Sequence, residues 1–151
     1  MQVGGATATV GDPSGRIHAR TQLLNSSSSQ LEHNVKSISH QLKSLFEKWS
    51  SQTWTDVPNS RYGQVQIVDN RDWWRNMGAV EFLSGVGRHI RVSHMLSRES
   101  VKKRFQATGP EDAGLTLSEF TYQTLQAYDF WHLHQTFGCD LQVYTVVNSI
   151  L

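Results

Sequence analysis

Gly4-Gly-Ala-Thr-Ala-Thr-Val-Gly-Asp-Pro-Ser-Gly-Arg16 follows a short apolar start, Met1-Gln2-Val3, that reads as the end of a strand. Four glycines in this stretch let the backbone approach a ligand closely. Asp12 stands between Gly11 and Pro13, so a stiff turn presents its carboxylate. A carboxylate held by a Gly-rich turn beyond a strand suits a small cation such as an amino acid's ammonium. No Gly-Lys-Ser/Thr follows, and the glycine spacing is not Gly-x-Gly-x-x-Gly, so neither phosphate-binding nor dinucleotide-binding loops are matched. An ordinary surface turn remains the alternative reading of the same residues.

Outward from this stretch, the chain has the size and composition of one folded domain. Its 151 residues are 38% hydrophobic, include five Trp and carry a net charge of +1, which argues against disorder. Six of the fourteen Lys and Arg fall between Arg88 and Arg104. That segment is either a solvated face or a phosphate-contacting patch. The single cysteine, Cys139, excludes an internal disulfide. No apolar run reaches the roughly 18–20 residues of a membrane span, and no signal or transit segment is visible at the start.

Residues 18–30 are polar, end in four serines and are expected to be mobile. Leu31, Val35, Ile38, Leu42, Leu45 and Trp49 then recur at spacings of three and four, the pattern of an amphipathic helix. Ser50 to Tyr62 reads as a loop and 65–68 as a strand broken by Asp69-Asn70. Trp73 to Val86 reads as a helix stopped by Gly87. Ser97 is placed to cap a short basic helix over 98–105. Thr116 or Ser118 opens a long helix that Gly138 ends, and Leu141–Val147 reads as a last strand. Strands separated by helices predict an α/β domain with a mainly parallel sheet.

On the long helix Tyr122, Gln126 and Asp129 are spaced four and three apart. They fall within about 60° of one another and span about 10 Å along the axis, comparable with one extended amino acid. The stripe is either the solvated side of the helix or one wall of a pocket. Leu125, Phe130 and Leu133 beside it weaken the solvated reading without displacing it. Leu117, Phe120, Ala127, Tyr128 and Trp131 fall on the opposite face. His132 and His134 point about 200° apart on a helix and cannot chelate one ion, so no metal is expected. Trp73 and Trp74 read as core.

Residues 4–16 resemble the segment after the second strand of bacterial and mitochondrial tyrosyl-tRNA synthetases, and Leu117–Phe130 resembles that family's tyrosine-pocket helix. Asp69–Trp74, Phe82–His89 and Met95–Val101 fit between them in the family's order. The resemblance covers about residues 3–142 and implies an incomplete Rossmann-like parallel sheet with a helical insertion, part of a class I synthetase catalytic domain. It implies further that Asp12, Tyr122 and Gln126 hold the tyrosine ammonium, that Asp129 accepts a hydrogen bond from the phenol, and that Thr7 lines the pocket. ATP with Mg2+ as co-substrate, tRNA(Tyr) as acceptor and a homodimer with its contact near Leu117 follow from the same resemblance. It also brings Arg98, Lys102 and Lys103 near the tRNA.

The family's His-Ile-Gly-His signature should lie ahead of residue 1, and its Lys-Met-Ser-Lys-Ser loop beyond residue 151. Residues 1–151 are accordingly expected to be a partial catalytic domain, an internal fragment or mis-spliced product that departs from the family at about 142–151. No catalytic residue is assigned, and the chain alone is expected to be inactive. A non-catalytic RNA-binding module using residues 88–104 and a tryptophan-specific relative are the rival readings. The Ser- and Trp-rich stretch at 44–63 points to a mitochondrial enzyme, with the cytoplasm as the alternative.

Overall fold

The computed structural model describes residues 1–11, 28–51, 65–99, 101–102 and 114–143. Strand β1 (Gln2–Val3) pairs in parallel with β2 (Val68–Asp69), Gln2 opposite Val68 and Val3 opposite Asp69. The backbone bonds Val68 N to Met1 O (2.9 Å) and Asn70 N to Val3 O (3.1 Å) fix this register. Among the described residues the helices follow in the order α1 (Thr7–Val10), α2 (Ser28–Ser51), α3 (Arg71–Trp74), α4 (Ala79–Gly85) and α5 (Val92–Ser97). After them comes α6 (Leu117–Phe137), long like α2. This is an incomplete α/β arrangement, with the parallel pair carrying helices between its strands.

The long helices form where periodicity places them. α2 begins at Ser28, so the last serines of the polar run are helical, and Val35 on its apolar stripe is buried. The rest of the segment expected to be mobile, 18–27, lies outside the described residues. α6 starts with a capping box: the Thr116 hydroxyl accepts from Glu119 N, and the Glu119 carboxylate accepts from Thr116 N. It ends at Gly138, which takes the left-handed conformation at φ 63° and donates to His134 O. Ser118, the other candidate opener, instead donates to Val10 O at 2.8 Å and ties α6 to α1.

Several shorter elements differ from expectation. The Gly-rich turn contains a four-residue helix, α1, before Gly11 ends it. Residues 65–67 are not strand; pairing begins at Val68 and includes Asp69, because β1 offers only two residues to pair with. The helix expected over 73–86 is two helices. α3 stops at Trp74, and Gly78, extended at ψ 151°, starts α4 afresh. Gly87 opens a 3-10 turn to His89 rather than stopping a helix. Ser97 closes α5, its hydroxyl donating back to His94 O at 2.8 Å, and the chain is helical again at Glu99, Val101 and Lys102, the last two donating to Arg98 O at 3.0 Å. Residues 141–143 are not strand; the remainder of that expected strand, the 52–62 portion of the expected loop and the 103–105 end of the basic helix lie outside the described residues.

Gly5 is required by close approach. A Cβ there would lie 2.5 Å from Asp69 Oδ1 and 2.6 Å from Arg71 Nε. The space is taken by an ion pair, Arg71 to Asp69 Oδ2 at 2.6 Å, with Arg71 N also donating to Asp69 Oδ1 at 3.0 Å. The side-chain hydrogen bond from Arg71 Nε to Asp69 Oδ2 raises the guanidinium above its ordinary pKa. The pair pins the end of β2 to the start of α3 beneath the first loop.

Candidate amino-acid pocket

The deepest burial in the described residues belongs to polar side chains. Asn70 is fully buried and Asp129 is 2% exposed, whereas the buried apolar residues Val3, Val35, Met95 and Val101 are each at 7%. A buried polar cluster of this kind is tolerated only when its hydrogen bonds are made. They are made here, and the sequence places each partner where its element begins or ends.

Asn70 follows β2 directly. Its Oδ1 accepts from Ala6 N at 2.7 Å, and its Nδ2 donates to Thr7 Oγ1 at 3.1 Å and to Asp129 Oδ2 at 2.9 Å. One carboxamide therefore joins the first loop, β2 and α6. Trp73 and Trp74, from α3, both donate their indole N–H to Asp129 Oδ1, at 2.8 and 2.7 Å. Gln2, from β1, donates to Asp129 Oδ2 at 2.7 Å. Two donors on each oxygen fill the roughly four lone-pair sites of a carboxylate. Trp73 and Trp74 are thus not simple core residues: each is half-buried and anchors the acid.

The aromatic rings behind this acid are packed together. Trp73 stacks on His132 at 4.3 Å, and Trp74 meets Tyr128 at 5.0 Å and Phe82 at 5.4 Å. Burial, with lesser contributions from Glu81 and Asp129, pushes the Tyr128 phenol above its ordinary pKa. His132 and His134 diverge as expected: the first lies against Trp73, while the second lies 3.4 Å from Asp140. Among the described residues no cluster of His, Cys, Asp or Glu is arranged to hold a metal ion.

In front of Asp129 lies an open cavity of about 590 Å³, within the usual range for small-molecule sites. Thr7, Tyr122, Gln126 and Asp129 all line it, with Phe130 and Leu133 beside them. The stripe on α6 therefore faces a pocket rather than open solvent, and Thr7 joins it from α1. Asp12 lies outside the described residues. On the opposite side of α6, Tyr128 and Trp131 line a second cavity of about 600 Å³ against Val86 and Ile90. That face is not wholly covered: Trp131 is 55% exposed and Leu117 77%.

Arg98 and Lys102 are exposed and do not line the first cavity. Lys102 lies 3.5 Å from Glu99, and Lys103 lies outside the described residues. Gln2, Asn70, Trp73 and Trp74 are the site residues that motif spacing did not single out. The signal for the tryptophans was nonetheless present. A half-buried indole needs an acceptor, and a carboxylate with apolar neighbours needs donors.

The family model for tRNA synthetases class I (W and Y) matches residues 1–144. A tyrosine–tRNA ligase of Bacteroides thetaiotaomicron is 42% identical over 141 residues, covering 93% of this chain and 30% of that protein. The human mitochondrial tyrosine–tRNA ligase is 40% identical over 141 residues, covering 93% of this chain and 28% of its own length. A C-terminally truncated mitochondrial tyrosyl-tRNA synthetase of Aspergillus nidulans superposes with a TM-score of 0.73 at 31% identity, over 91% of this chain and 36% of that one. The chain thus spans about 30% of the length of the curated relatives it matches.

Proposed function

Because this chain belongs to the tRNA synthetases class I of the W and Y group, we propose that its first cavity binds free tyrosine as part of a tyrosine–tRNA ligase. The observation that carries this reading is the placement of Asp129. A carboxylate 2% exposed, held by two donors on each oxygen, lines a cavity that Gln126 and Tyr122 line from the same helix. The phenol of tyrosine would donate to Asp129. Its ammonium would lie about two turns toward the start of α6, by Tyr122 and Gln126, with Asp12 completing the cation site and Thr7 forming a wall.

In this proposal the full ligase, as a dimer, joins the tyrosine carboxylate to the AMP moiety of ATP with Mg2+ and release of pyrophosphate, and then passes the tyrosyl group to tRNA(Tyr) with release of AMP. The exposed side chains of Arg98 and Lys102, continued by Lys103, would contact tRNA phosphates. The mitochondrial relatives support a mitochondrial location. Bacterial relatives are equally similar, so the cytoplasm is the competing assignment.

Calorimetric titration of the chain with tyrosine, phenylalanine and tryptophan tests the pocket. Tyrosine is expected to bind more tightly than phenylalanine, and tryptophan not at all. Equal affinity for tyrosine and tryptophan would defeat the proposal.

A further inference from the structure

The four donors on Asp129 differ in how they are held. Asn70 cannot turn, because its carbonyl accepts Ala6 N and its amide is shared with Thr7. Trp73 is stacked on His132, and Trp74 is wedged between Tyr128 and Phe82. Gln2 is half-buried, and among the described residues its carboxamide is anchored at Asp129 alone. Of the four donor residues it is also the one that lines the cavity. A hydroxyl arriving through the cavity finds every lone pair of the acid in use, and the Gln2 amide is the donor within its reach that can leave.

We infer that Gln2 is a specificity-determining residue: its side-chain amide holds Asp129 Oδ2 and yields that place to a ligand hydroxyl. The inference rests on reading the cavity as a tyrosine pocket. A site built to hydrogen-bond a hydroxyl rejects the analogue lacking it because its own buried polar group is left unpaired, a rule of which tyrosine-specific ligases are themselves the standard example. Gln2 weakens that penalty. When tyrosine enters, the amide turns away and the phenol O–H takes its lone pair. When phenylalanine enters, the amide stays and the carboxylate keeps all four donors. Gln2 therefore lowers the discrimination that Asp129 alone would impose.

The test compares the chain with its Gln2→Leu variant by measuring tyrosine and phenylalanine affinities, together with the side-chain amide resonances of Gln2 in the unaltered chain. Removing the amide leaves an unmet acceptor when phenylalanine is bound, so the tyrosine-to-phenylalanine affinity ratio is expected to rise roughly tenfold. Saturating tyrosine is expected to move the Gln2 amide resonances, and saturating phenylalanine to leave them in place. An unchanged ratio, or Gln2 resonances unmoved by bound tyrosine, overturns the inference and leaves the pocket standing. If neither amino acid binds the unaltered chain, the tyrosine pocket falls and the role of Gln2 with it. Should the variant fail to fold, the resonances of the unaltered chain still decide.

Discussion

Replacing Asp129 with asparagine changes few atoms and disturbs the centre of the buried network. The carboxylate accepts from Gln2, Asn70, Trp73 and Trp74. An asparagine offers a carbonyl with two lone pairs and an amide that only donates. With its carbonyl left toward the two indoles, its amide faces the amides of Gln2 and Asn70. Gln2 is free to turn its own carbonyl inward. Asn70 is not, because its carbonyl is committed to Ala6 N.

Two hydrogen bonds to a charged acceptor are lost, at about 1.5–3 kcal/mol each. One neutral bond of about 1 kcal/mol is regained through Gln2, and relief of the charge's desolvation returns a further part. The net loss expected for Asp129→Asn is about 2–3 kcal/mol, on the order of 4–12 °C in melting temperature for a chain of this size. Urea denaturation followed by tryptophan fluorescence reads it, with the denaturant slope unchanged. A loss under about 0.5 kcal/mol would refute the four-donor account.

Two further perturbations test the frame around the pocket. Gly5→Ala places a Cβ 2.5 Å from Asp69 Oδ1 and 2.6 Å from Arg71 Nε, so the pair must separate or the loop must shift. A loss of about 1–3 kcal/mol by urea denaturation is expected, and a neutral result would contradict the packing. The Tyr128 phenol has its pKa raised in the fold above the ordinary 10.0, so the contribution it makes is whole below pH 10 and is lost as pH rises through the higher folded value. Stability measured from pH 9 upward should therefore fall in the unaltered chain and fall less in Tyr128→Phe; parallel curves would contradict the burial.

The long elements were legible because each carries its own signal. α6 has a helical period, a Thr116 opener and a Gly138 stop, all local in the sequence, and α2 has an uninterrupted apolar stripe. The face bearing Tyr122, Gln126 and Asp129 followed from helical geometry alone, and the cavity in front of it is where that face points. The region 65–89 was not legible in the same way. Its apolar spacing fits one helix, but α3 is oriented by two indoles reaching a carboxylate more than fifty residues away. The chain then restarts at an extended Gly78.

β2 begins at Val68 because a strand two residues long on another part of the chain decides how much can pair. Gln2 was missed for a similar reason. A glutamine in a strand end says nothing locally, and its meaning comes from the acid that lies opposite it.

The most direct test is a crystal structure of the chain grown with tyrosine. The account predicts the phenol oxygen within hydrogen-bond distance of Asp129 and the ammonium beside Tyr122 and Gln126. Tyrosine bound elsewhere, or reversed so that its ammonium meets Asp129, would contradict it.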